Sequence, residues 1–591
     1  MQNEASRAMD GSKKGDTCMN GLLHKGWILL VLGVVMTGLS GDEGVQAAKK
    51  QRKGDTPPKP VISDNTRAGR SMAMGRNGMV ASSHYLATQA GLEILQSGGT
   101  AMDAAVAVAA VLGVVEPAMI GIGGDAFFLY YDAKTREVYS YNGSGRSPMG
   151  LSREYFAAKQ KRRIEGESWE AVTVPGAVDA YAAGLERFGK MSFEEVLAPA
   201  IKHATEGYPV HEVVAIVWNS QAGKLGRDEW AKKLKLVDGK APKAGSIFVD
   251  AAYGASLQSI ADGGRDAFYK GPIAKEIVRY SHESDGFLTT ADFENHTGEW
   301  TAPVSTNYRG YDVYQCPPNG QGSAVLSMLN ILEGYDLASM EFNSPAYLHF
   351  LIEAKKLAYA DIGKYFGDPE RGDIPVAGLL SKEYAAARRE LINPRKAAER
   401  VEPGIPQNGD TAYMTVVDKD GNACSFINSL FGPFGTGIVG GSTGIALQNR
   451  GNGFTLRKGH FNEYKAGVRP FHTIIPGMVL KGDSLYMSYG LMGGSMQPQG
   501  HVQFLLSHID HGFTIQEVAE IPRFRHQSGL RVLLESGTPE SVFKGLKKFG
   551  HELKPGSYLS MGGAQAIMID PESGVYLGAS DPRKDGVALG Y

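Results

Sequence analysis

Apolar positions recur at helical spacing in several stretches before residue 400. Residues 85–97 (YLATQAGLEILQS) carry an apolar stripe and stop at a Gly-Gly pair, which predicts a helix with a C-terminal stop. Residues 103–115 are apolar on every side, as expected of a buried helix. Residues 345–366 predict a long amphipathic helix, and residues 151–300 are largely helical in pattern.

Strand patterns concentrate after about residue 405. Residues 126–132 (AFFLYYD) and 137–143 (EVYSYNG) first predict a hairpin, and residues 79–82 a short extended segment. One helical pair is predicted at about 498–510 and 514–521. Helix and sheet separated in this way suggest stacked α and β layers. The short runs rich in β-branched and aromatic residues are TAYMTVVD, NACSFINSL, TGIALQ, TIIPGMVL, SLYMSYG, AQAIMID and GVYLGASD.

Composition adds one unusual feature, an excess of glycine. The chain has 76 glycines in 591 residues, nearly double the usual ~7%. They often occur as doublets, which implies tight turns and close backbone approaches. The net charge of −2 excludes the basic footprint of a nucleic-acid-binding protein. The length predicts a few domains or one large layered unit.

The N-terminal segment has the three-part layout of a secretory signal peptide. Lysines precede an uncharged run at residues 27–39, which is shorter than the ~20 residues of a membrane span. A small-residue cleavage site follows near Ala47. We therefore expect a signal peptide over residues 1–47, a basic linker over 48–69, and an exported, periplasmic or extracellular protein; an uncleaved anchor and a buried helix are the alternatives.

Cysteine and metal-binding motifs are scarce. Only Cys316 and Cys424 lie beyond the predicted signal peptide, so at most one disulfide is possible. The sequence contains no C-x-x-C, no H-E-x-x-H and no spaced Cys/His cluster. We therefore predict no metal and no cofactor.

Two glycine motifs have generic functional readings. Residues 435–440 fit the dinucleotide pattern G-x-G-x-x-G, and residues 440–444 fit the nucleophile elbow G-x-S-x-G around Ser442. Both motifs require a following helix, whereas strand and turn residues follow here. A turn is the better interpretation, and a serine α/β-hydrolase using Ser442 stays an alternative.

The order and spacing of longer segments are far more specific than these patterns. From Met79 to the C-terminus the chain contains, in order, the segments GLEILQSGGTAMDAAVAVAAVLGVVEP, VTVPGAVDAY, TVVDKDGNACSFINSLFGPFGTGIV, RPFHTIIPGMVL, GLMGGS and GASDPR. In these segments it resembles the γ-glutamyltransferase (γ-glutamyltranspeptidase) family, closer to its cephalosporin-acylase-like subgroup. The resemblance implies an α+β fold, the αββα sandwich of the N-terminal nucleophile (Ntn) hydrolases, made as a precursor that cuts itself. The cut would fall between Asp410 and Thr411, giving a large subunit of residues 70–410 and a small subunit of 411–591.

The implied catalytic group is Thr411, which precedes the first strand of the sheet-rich third. A threonine hydroxyl needs a base, and cleavage frees an α-amino group of pKa near ~8 on the same residue. By resemblance, Ser429 assists the nucleophile through a hydrogen bond. The backbone amides of Gly493 and Gly494 would stabilise the oxyanion, because glycine lets the backbone approach the substrate closely.

The implied substrate pocket departs from the family pattern. Arg146 matches the arginine that grips the substrate α-carboxylate, a role suited to guanidinium. Phe431, Arg450 and Gly453 stand where the family holds the substrate α-amino group, and none of them offers a side-chain acceptor. His472 and Thr473 replace two family serines beside the oxyanion site. The resemblance to acylases that cleave glutaryl amides follows from these changes.

These observations predict an autoprocessed amidohydrolase acting on a γ-glutamyl or glutaryl amide through an ester on Thr411. Water would accept the acyl group, with transfer to an amino acid or peptide as a further activity. A glutaryl or cephalosporin acylase without glutathione activity is one alternative, and a non-catalytic exported binding protein is another. The expected partners are a small amide and the second subunit of a large/small heterodimer, with no nucleic acid.

Overall fold

The computed structural model describes residues 69–401 and 410–591, without the side chain of Asp410. The predicted signal peptide, nearly all of the predicted linker, residues 402–409 and the side chain of Asp410 at the expected cleavage site lie outside the described residues. The helices in the described part are too short or too polar to cross a membrane.

Strands and helices alternate along the whole described chain. The strands are β1 (Ala73–Gly75), β2 (Met79–Ser82), β3 (Asp125–Asp132), β4 (Glu137–Gly143), β5 (Tyr208–Pro209), β6 (Ile247–Phe248), β7 (Glu299–Thr301), β8 (Val304–Tyr308), β9 (Tyr311–Gln315), β10 (Asp410–Val417), β11 (Ala423–Phe431), β12 (Gly477–Lys481), β13 (Ser484–Met492), β14 (Phe524–Ser528), β15 (Arg531–Glu535), β16 (Glu552–Gly556), β17 (Gly563–Ile569), β18 (Tyr576–Ser580) and β19 (Val587–Gly590).

The α-helices lie mostly before residue 400. They are α1 (Tyr85–Gln96), α2 (Ala101–Val115), α3 (Arg153–Ala158), α4 (Ala177–Phe188), α5 (Phe193–Glu206), α6 (Glu212–Leu225), α7 (Glu229–Lys235), α8 (Ala251–Tyr269), α9 (Pro272–Glu283), α10 (Thr290–Glu294), α11 (Gly322–Leu332), α12 (Pro345–Tyr365), α13 (Val376–Leu379), α14 (Lys382–Arg389), α15 (Met496–Ile509), α16 (Ile515–Glu520) and α17 (Glu540–Lys548).

Two seven-stranded antiparallel sheets form the centre of the fold. The first sheet has the order β19-β2-β10-β11-β3-β4-β7, and the second has β1-β18-β17-β13-β12-β9-β8. Strands from before and after residue 410 are neighbours in both sheets. In the first sheet, β10 lies between β2 and β11.

Three hydrophobic clusters, each lying between two successive layers of helices or sheets, establish that the fold has four layers. One joins α1, α2, α4, α5 and α8 to the outer face of the first sheet. Another lies between the two sheets. The last joins α11, α12 and α15 to the outer face of the second sheet. The predicted αββα sandwich is therefore confirmed.

Strand β10 shows how the sequence builds this arrangement. Its side chains alternate, as they must in a strand. Ala412, Met414 and Val416 belong to the helix-facing cluster, whereas Tyr413 and Val417 belong to the cluster between the sheets. The strand is therefore apolar on both faces, as expected for a sheet covered on both sides.

The predicted N-terminal helices are confirmed, and α2 is buried along its entire length. Thr100 and Asp103 form a capping box at its start, in which each side chain accepts a hydrogen bond from the backbone N–H of the other. The hairpin of β3 and β4 and the helical pair α15 and α16 also match the prediction.

Two sequence predictions need correction. The helix at 345–366 is not amphipathic, because both apolar and polar side chains of α12 are buried from Tyr347 to Ala360. The predicted strand TGIALQ, residues 443–448, does not form; a 3₁₀ turn, Gly441–Thr443, ends at its first residue, and Ala446 makes a single bridge to Val439. The sheet of β14, β15 and β16 had no sequence prediction.

Candidate active site

Thr411 lies at an irregularity at the start of β10. Asp410 pairs with Phe431 and Ala412 with Asn428, so the register shifts at Thr411 as it does at a β-bulge. Bulges redirect a side chain and occur beside active sites. The Thr411 side chain is fully buried.

Two polar side chains hold the Thr411 hydroxyl. Oγ1 of Thr411 donates to Oγ of Ser429 at 3.2 Å, and Nε2 of Gln497 donates to Oγ1 at 3.3 Å. The Ser429 oxygen also accepts the backbone N–H of Phe431 at 2.8 Å. The serine assigned by resemblance therefore lies within hydrogen-bond distance of the proposed nucleophile.

Gly493 and Gly494 connect β13 to α15. Their φ angles are +126° and +58°, so both need the left-handed region that glycine enters freely. Nε2 of Gln321 donates to the carbonyl oxygens of Thr473 (2.6 Å) and Gly494 (2.9 Å), which ties this turn to the segment before β12.

Gln497 connects the glycine turn to Thr411. It lies in the first turn of α15, where its backbone N–H donates to the Gly494 carbonyl at 3.1 Å. Its Oε1 accepts the backbone N–H of Ile475 at 3.0 Å, which directs Nε2 towards Thr411. Sequence reasoning missed Gln497; the available signal was a buried amide three residues after the glycine pair.

Arg450 is the most unusual charged group of the site, because its side chain is fully buried. Its Nη1 donates to Oγ1 of Thr473 at 2.8 Å, and its guanidinium lies 4.3 Å from the ring centroid of Phe431. Among the residues that the structure describes, no acceptor reaches Nε and Nη2. Burial lowers the pKa of Arg450 to about 9, against the opposing charge of Asp125. The structure thus brings together three of the predicted pocket residues.

Asp125, at the start of β3, was not predicted from the sequence. Its fully buried carboxylate accepts Nε2 of His472 at 3.0 Å, the Gly145 N–H at 2.9 Å and Nε2 of Gln448 at 2.9 Å. Burial alone would raise the pKa of Asp125, but the hydrogen bond from His472, the charge of Arg450 and the hydrogen bond from Gln448 hold it below its usual value. An acidic residue beginning an apolar strand was the only sequence signal.

His472 is engaged through both ring nitrogens. Nε2 donates to Asp125, and Nδ1 accepts the backbone N–H of Ile474 at 3.4 Å. Burial and the positive charge of Arg450 lower the pKa of His472 to about 3, so the ring is neutral near pH 7. The imidazole therefore cross-links the site and offers no spare ring nitrogen.

Arg146 is paired with two carboxylates. Its Nη2 lies 2.6 Å from Oε1 of Glu370 and its Nη1 lies 3.5 Å from Oδ2 of Asp368. The next residue back, Gly145, donates to Asp125, which connects this loop to the site. A substrate carboxylate at Arg146 would compete with these pairs.

The generic glycine motifs do not form sites of their own. Ser442 is exposed, lies in a 3₁₀ turn and donates to Glu276 at 2.9 Å. No helix follows it, so the nucleophile-elbow alternative is wrong, and residues 435–440 likewise open no helix.

Among the described residues, one group has metal-ligating side chains close together, namely His349, Glu353 and His551. Hydrogen bonds within the protein already engage it. His349 and His551 share a bond of 2.9 Å, and Lys356 supplies a cation 2.7 Å from Glu353. The group holds α12 to the segment after α17.

Comparison with known proteins agrees with this geometry. A family model described as Gamma-glutamyltranspeptidase matches residues 87–591. The chain belongs to the gamma-glutamyltranspeptidase family. It is 41% identical over 526 residues to the "Glutathione hydrolase-like YwrD proenzyme" of Bacillus subtilis (strain 168), covering 88% of this chain and 99% of that protein.

Acylases are also among the similar proteins. The "Acylase ACY 1 proenzyme" of Pseudomonas sp. (strain SE83) is 34% identical over 545 residues, covering 90% of this chain and 96% of that protein. The crystal structure of cephalosporin acylase from Bacillus halodurans has a TM-score of 0.84 and 38% identity, covering 90% of this chain and 99% of that one. The chain is therefore an enzyme of the gamma-glutamyltranspeptidase family with the Ntn-hydrolase fold.

Proposed function

We propose that this member of the gamma-glutamyltranspeptidase family cuts itself between Asp410 and Thr411 and then hydrolyses amides with Thr411 as nucleophile. The observation that carries the proposal is the Thr411 hydroxyl, held at a bulge between Ser429 and Gln497. A buried hydroxyl fixed by a donor and an acceptor has one defined orientation, which an attacking group needs.

In the precursor, Oγ1 of Thr411 attacks the carbonyl carbon of Asp410, and the peptide nitrogen leaves as the α-amine of Thr411. Water opens the resulting ester. In the mature enzyme this amine takes the proton of Oγ1, directly or through water, as Oγ1 attacks the substrate amide. The backbone N–H groups of Gly493 and Gly494 receive the oxyanion. The proton passes to the leaving amine, and water then hydrolyses the ester on Thr411.

We assign the acyl carboxylate to Arg450. Within the described part of the chain, two nitrogens of this buried guanidinium have no acceptor. A buried charge is costly unless a ligand pairs with it, and a carboxylate matches the guanidinium geometry. Phe431 covers one face of the guanidinium and offers no acceptor for an ammonium. The site therefore favours a glutaryl-like acyl group over a γ-glutamyl group, which carries an α-ammonium. Arg146, already paired with Glu370, is the second candidate for the carboxylate.

The similar proteins include one named as a glutathione hydrolase-like proenzyme, which supports a γ-glutamyl substrate, and one named as an acylase, which supports hydrolysis of an acyl amide. Glutathione is therefore the γ-glutamyl candidate, and a glutaryl amide is the preferred one. We further propose that residues 70–410 and 411–591 remain together as a heterodimer, and that the signal over residues 1–47 directs export.

The deciding experiment compares the wild-type chain with Thr411→Ala and Thr411→Ser. Wild type should give two bands on a denaturing gel, the smaller beginning at Thr411 by N-terminal sequencing. Thr411→Ala should remain one inactive band, whereas Thr411→Ser keeps a hydroxyl and should be processed. Retained amidase activity in Thr411→Ala would refute the proposal.

A comparison of two substrates tests the acyl group. Turnover of glutaryl anilide should exceed that of γ-glutamyl anilide. The reverse order would refute only the binding of the substrate carboxylate by Arg450 and would leave the role of Thr411 unaffected.

A further inference from the structure

Lys355 lines a cavity whose lining residues do not include Thr411. The cavity has a volume of about 80 Å³, several times the ~10–15 Å³ that one water needs. Lys355 is 2% exposed, and the exposed residues Glu399 and Gly529 lie on the solvent side. A molecule of a few heavy atoms has room to reach its amino group.

The immediate neighbours of this amine are neutral. Nε2 of His526 donates to the carbonyl of Gly529 at 2.9 Å, so its Nδ1 is the acceptor. Nζ of Lys355 donates to that Nδ1 at 2.9 Å and lies 3.9 Å from the ring centroid of Tyr359. Burial, with the charge of Lys355, keeps the pKa of His526 well below its usual value.

The adjacent lysine provides a contrast within the same helix. Nζ of Lys356 lies 2.7 Å from Oε1 of Glu353; burial lowers the pKa of Lys356 as well, but the charge of Glu353 opposes that shift. Lys355 makes no such pair with any residue that the structure describes; the charges acting on it are those of Arg525 and Lys356, both positive. Burial and these two cations lower the pKa of Lys355 to about 7. A desolvated lysine beside another cation is the arrangement that activates amines as nucleophiles.

We propose that Lys355 is a nucleophilic amine that captures a small 2-oxo acid in this cavity as an imine. Nζ attacks the carbonyl carbon, the carbonyl oxygen leaves as water, and a C=N bond replaces C=O, so no oxidant or reductant is needed. The cations that hold the amine unprotonated also attract the carboxylate of the oxo acid. A neutral aldehyde has no such attraction, which selects the oxo-acid class.

The test is reductive trapping of the full-length purified chain. The protein is incubated with glyoxylate and cyanoborohydride at pH 7, digested, and each lysine quantified by mass spectrometry. Because burial and the neighbouring cations lower the pKa of Lys355 to about 7, a far larger share of it is unprotonated at this pH than of an exposed lysine of pKa ~10.4. We expect Lys355 to be labelled at least ~10-fold faster than Lys356, with a rate that levels off above pH 7. Glyoxylate should also label it faster than formaldehyde does.

Matched variants separate the site from general reactivity. Lys355→Met keeps a long apolar stem over Tyr359 and should abolish the fast label, while labelling of Lys356 stays unchanged. Thr411→Ala should be labelled at Lys355 as fast as wild type, so the outcome is independent of the amidase proposal. Labelling of Lys355 no faster than of Lys356, or a rate that keeps rising to pH 10, would overturn the inference. Equal rates with formaldehyde and glyoxylate would overturn the oxo-acid assignment.

Discussion

Asp125 and His472 form a hydrogen bond of 3.0 Å between two fully buried side chains that lie 347 residues apart in sequence. Asp125 on β3 pairs with Ser429 on β11, and the charge of its carboxylate stabilises the buried guanidinium of Arg450. The pair therefore connects the strand that carries Ser429 to the residues around Arg450, the proposed substrate pocket.

Replacing the carboxylate should be strongly destabilising. Asp125→Asn keeps one acceptor but places an NH₂ against either His472 or the donors Gly145 and Gln448. It also removes the charge that balances Arg450. We expect a loss of about 2–4 kcal/mol in unfolding free energy, measured by urea denaturation. Asp420→Asn, at an exposed carboxylate, should change stability by less than about 0.5 kcal/mol; an equal loss in both variants would contradict the role of Asp125.

The substrate carboxylate should depend on Arg450. Arg450→Met keeps the packing on Phe431 but removes the charge. We therefore expect kcat/KM for glutaryl anilide to fall about 30–100-fold, which corresponds to the free energy of a hydrogen bond to a charged group. Butyryl anilide, which lacks the carboxylate, should be hydrolysed nearly as well as by wild type. If Arg146→Met shows this selectivity and Arg450→Met does not, the carboxylate binds at Arg146.

Ser429 should act through its hydroxyl. Ser429→Ala removes the acceptor of both Thr411 and the Phe431 N–H, leaving a buried donor without that partner. We expect kcat to fall about 10–100-fold and stability by about 1–2 kcal/mol. Ser429→Thr retains the hydroxyl and should recover most of kcat. Failure of threonine to restore kcat, despite recovered stability, would argue against the hydrogen-bonding role.

The glycine turn should matter for the transition state rather than for binding. At Gly493 an added Cβ would lie 3.1 Å from Cβ of Met496 and 3.2 Å from Cα of Gly562, at a φ of +126°. Gly493→Ala should therefore shift the N–H donors and lower kcat about 100–1,000-fold with little change in KM. Gly482→Ala is a control with φ of +65° and open space around Cβ. A rise in KM at unchanged kcat would exclude the oxyanion role.

Acid should destabilise the protein through its buried neutral histidines. Burial lowers the pKa of His472 and His501 to about 3 and that of His296 to about 4, against 6.5 in the unfolded chain. Between these values only the unfolded state binds the protons, so the unfolding free energy should fall as pH drops from 6.5 towards 3. Urea midpoints measured at pH 7.5 and 5 test this. His501→Gln should flatten the dependence, whereas His282→Gln, at an exposed position, should not.

The sequence predicts the elements of this fold well where one physical signal dominates. The all-apolar run of α2 indicates only a buried helix, and the alternating side chains of β10 indicate only a strand. The sequence of α12 wrongly predicts an amphipathic helix, because its polar residues are of the kind that normally form a solvent-exposed helix face. Instead His349 bonds to the carbonyl of Asn393, and Lys355 to His526, in segments that only the tertiary structure brings near.

The site was accessible from sequence only through resemblance. A threonine before a strand has no chemical signature, and Thr411 gains one from Ser429 and Gln497 in other elements. Asp125 and Gln497 stayed hidden for the same reason, because their roles depend on partners far away in sequence. By contrast, the stacking of Arg450 on Phe431 joins positions that the resemblance had already singled out.

The alternation of strands from before and after residue 410 has a consequence for the proposed cleavage. Neither product would contain a complete sheet, since β10 lies between β2 and β11 and the second sheet has β1, β8 and β9 at its edges. The two pieces could separate only by unfolding, and refolding would then require a bimolecular encounter of incomplete sheets. The lifetime of the folded mature enzyme should therefore be set by its unfolding rate, and so by the height of the unfolding barrier, and not by a reversible folding equilibrium.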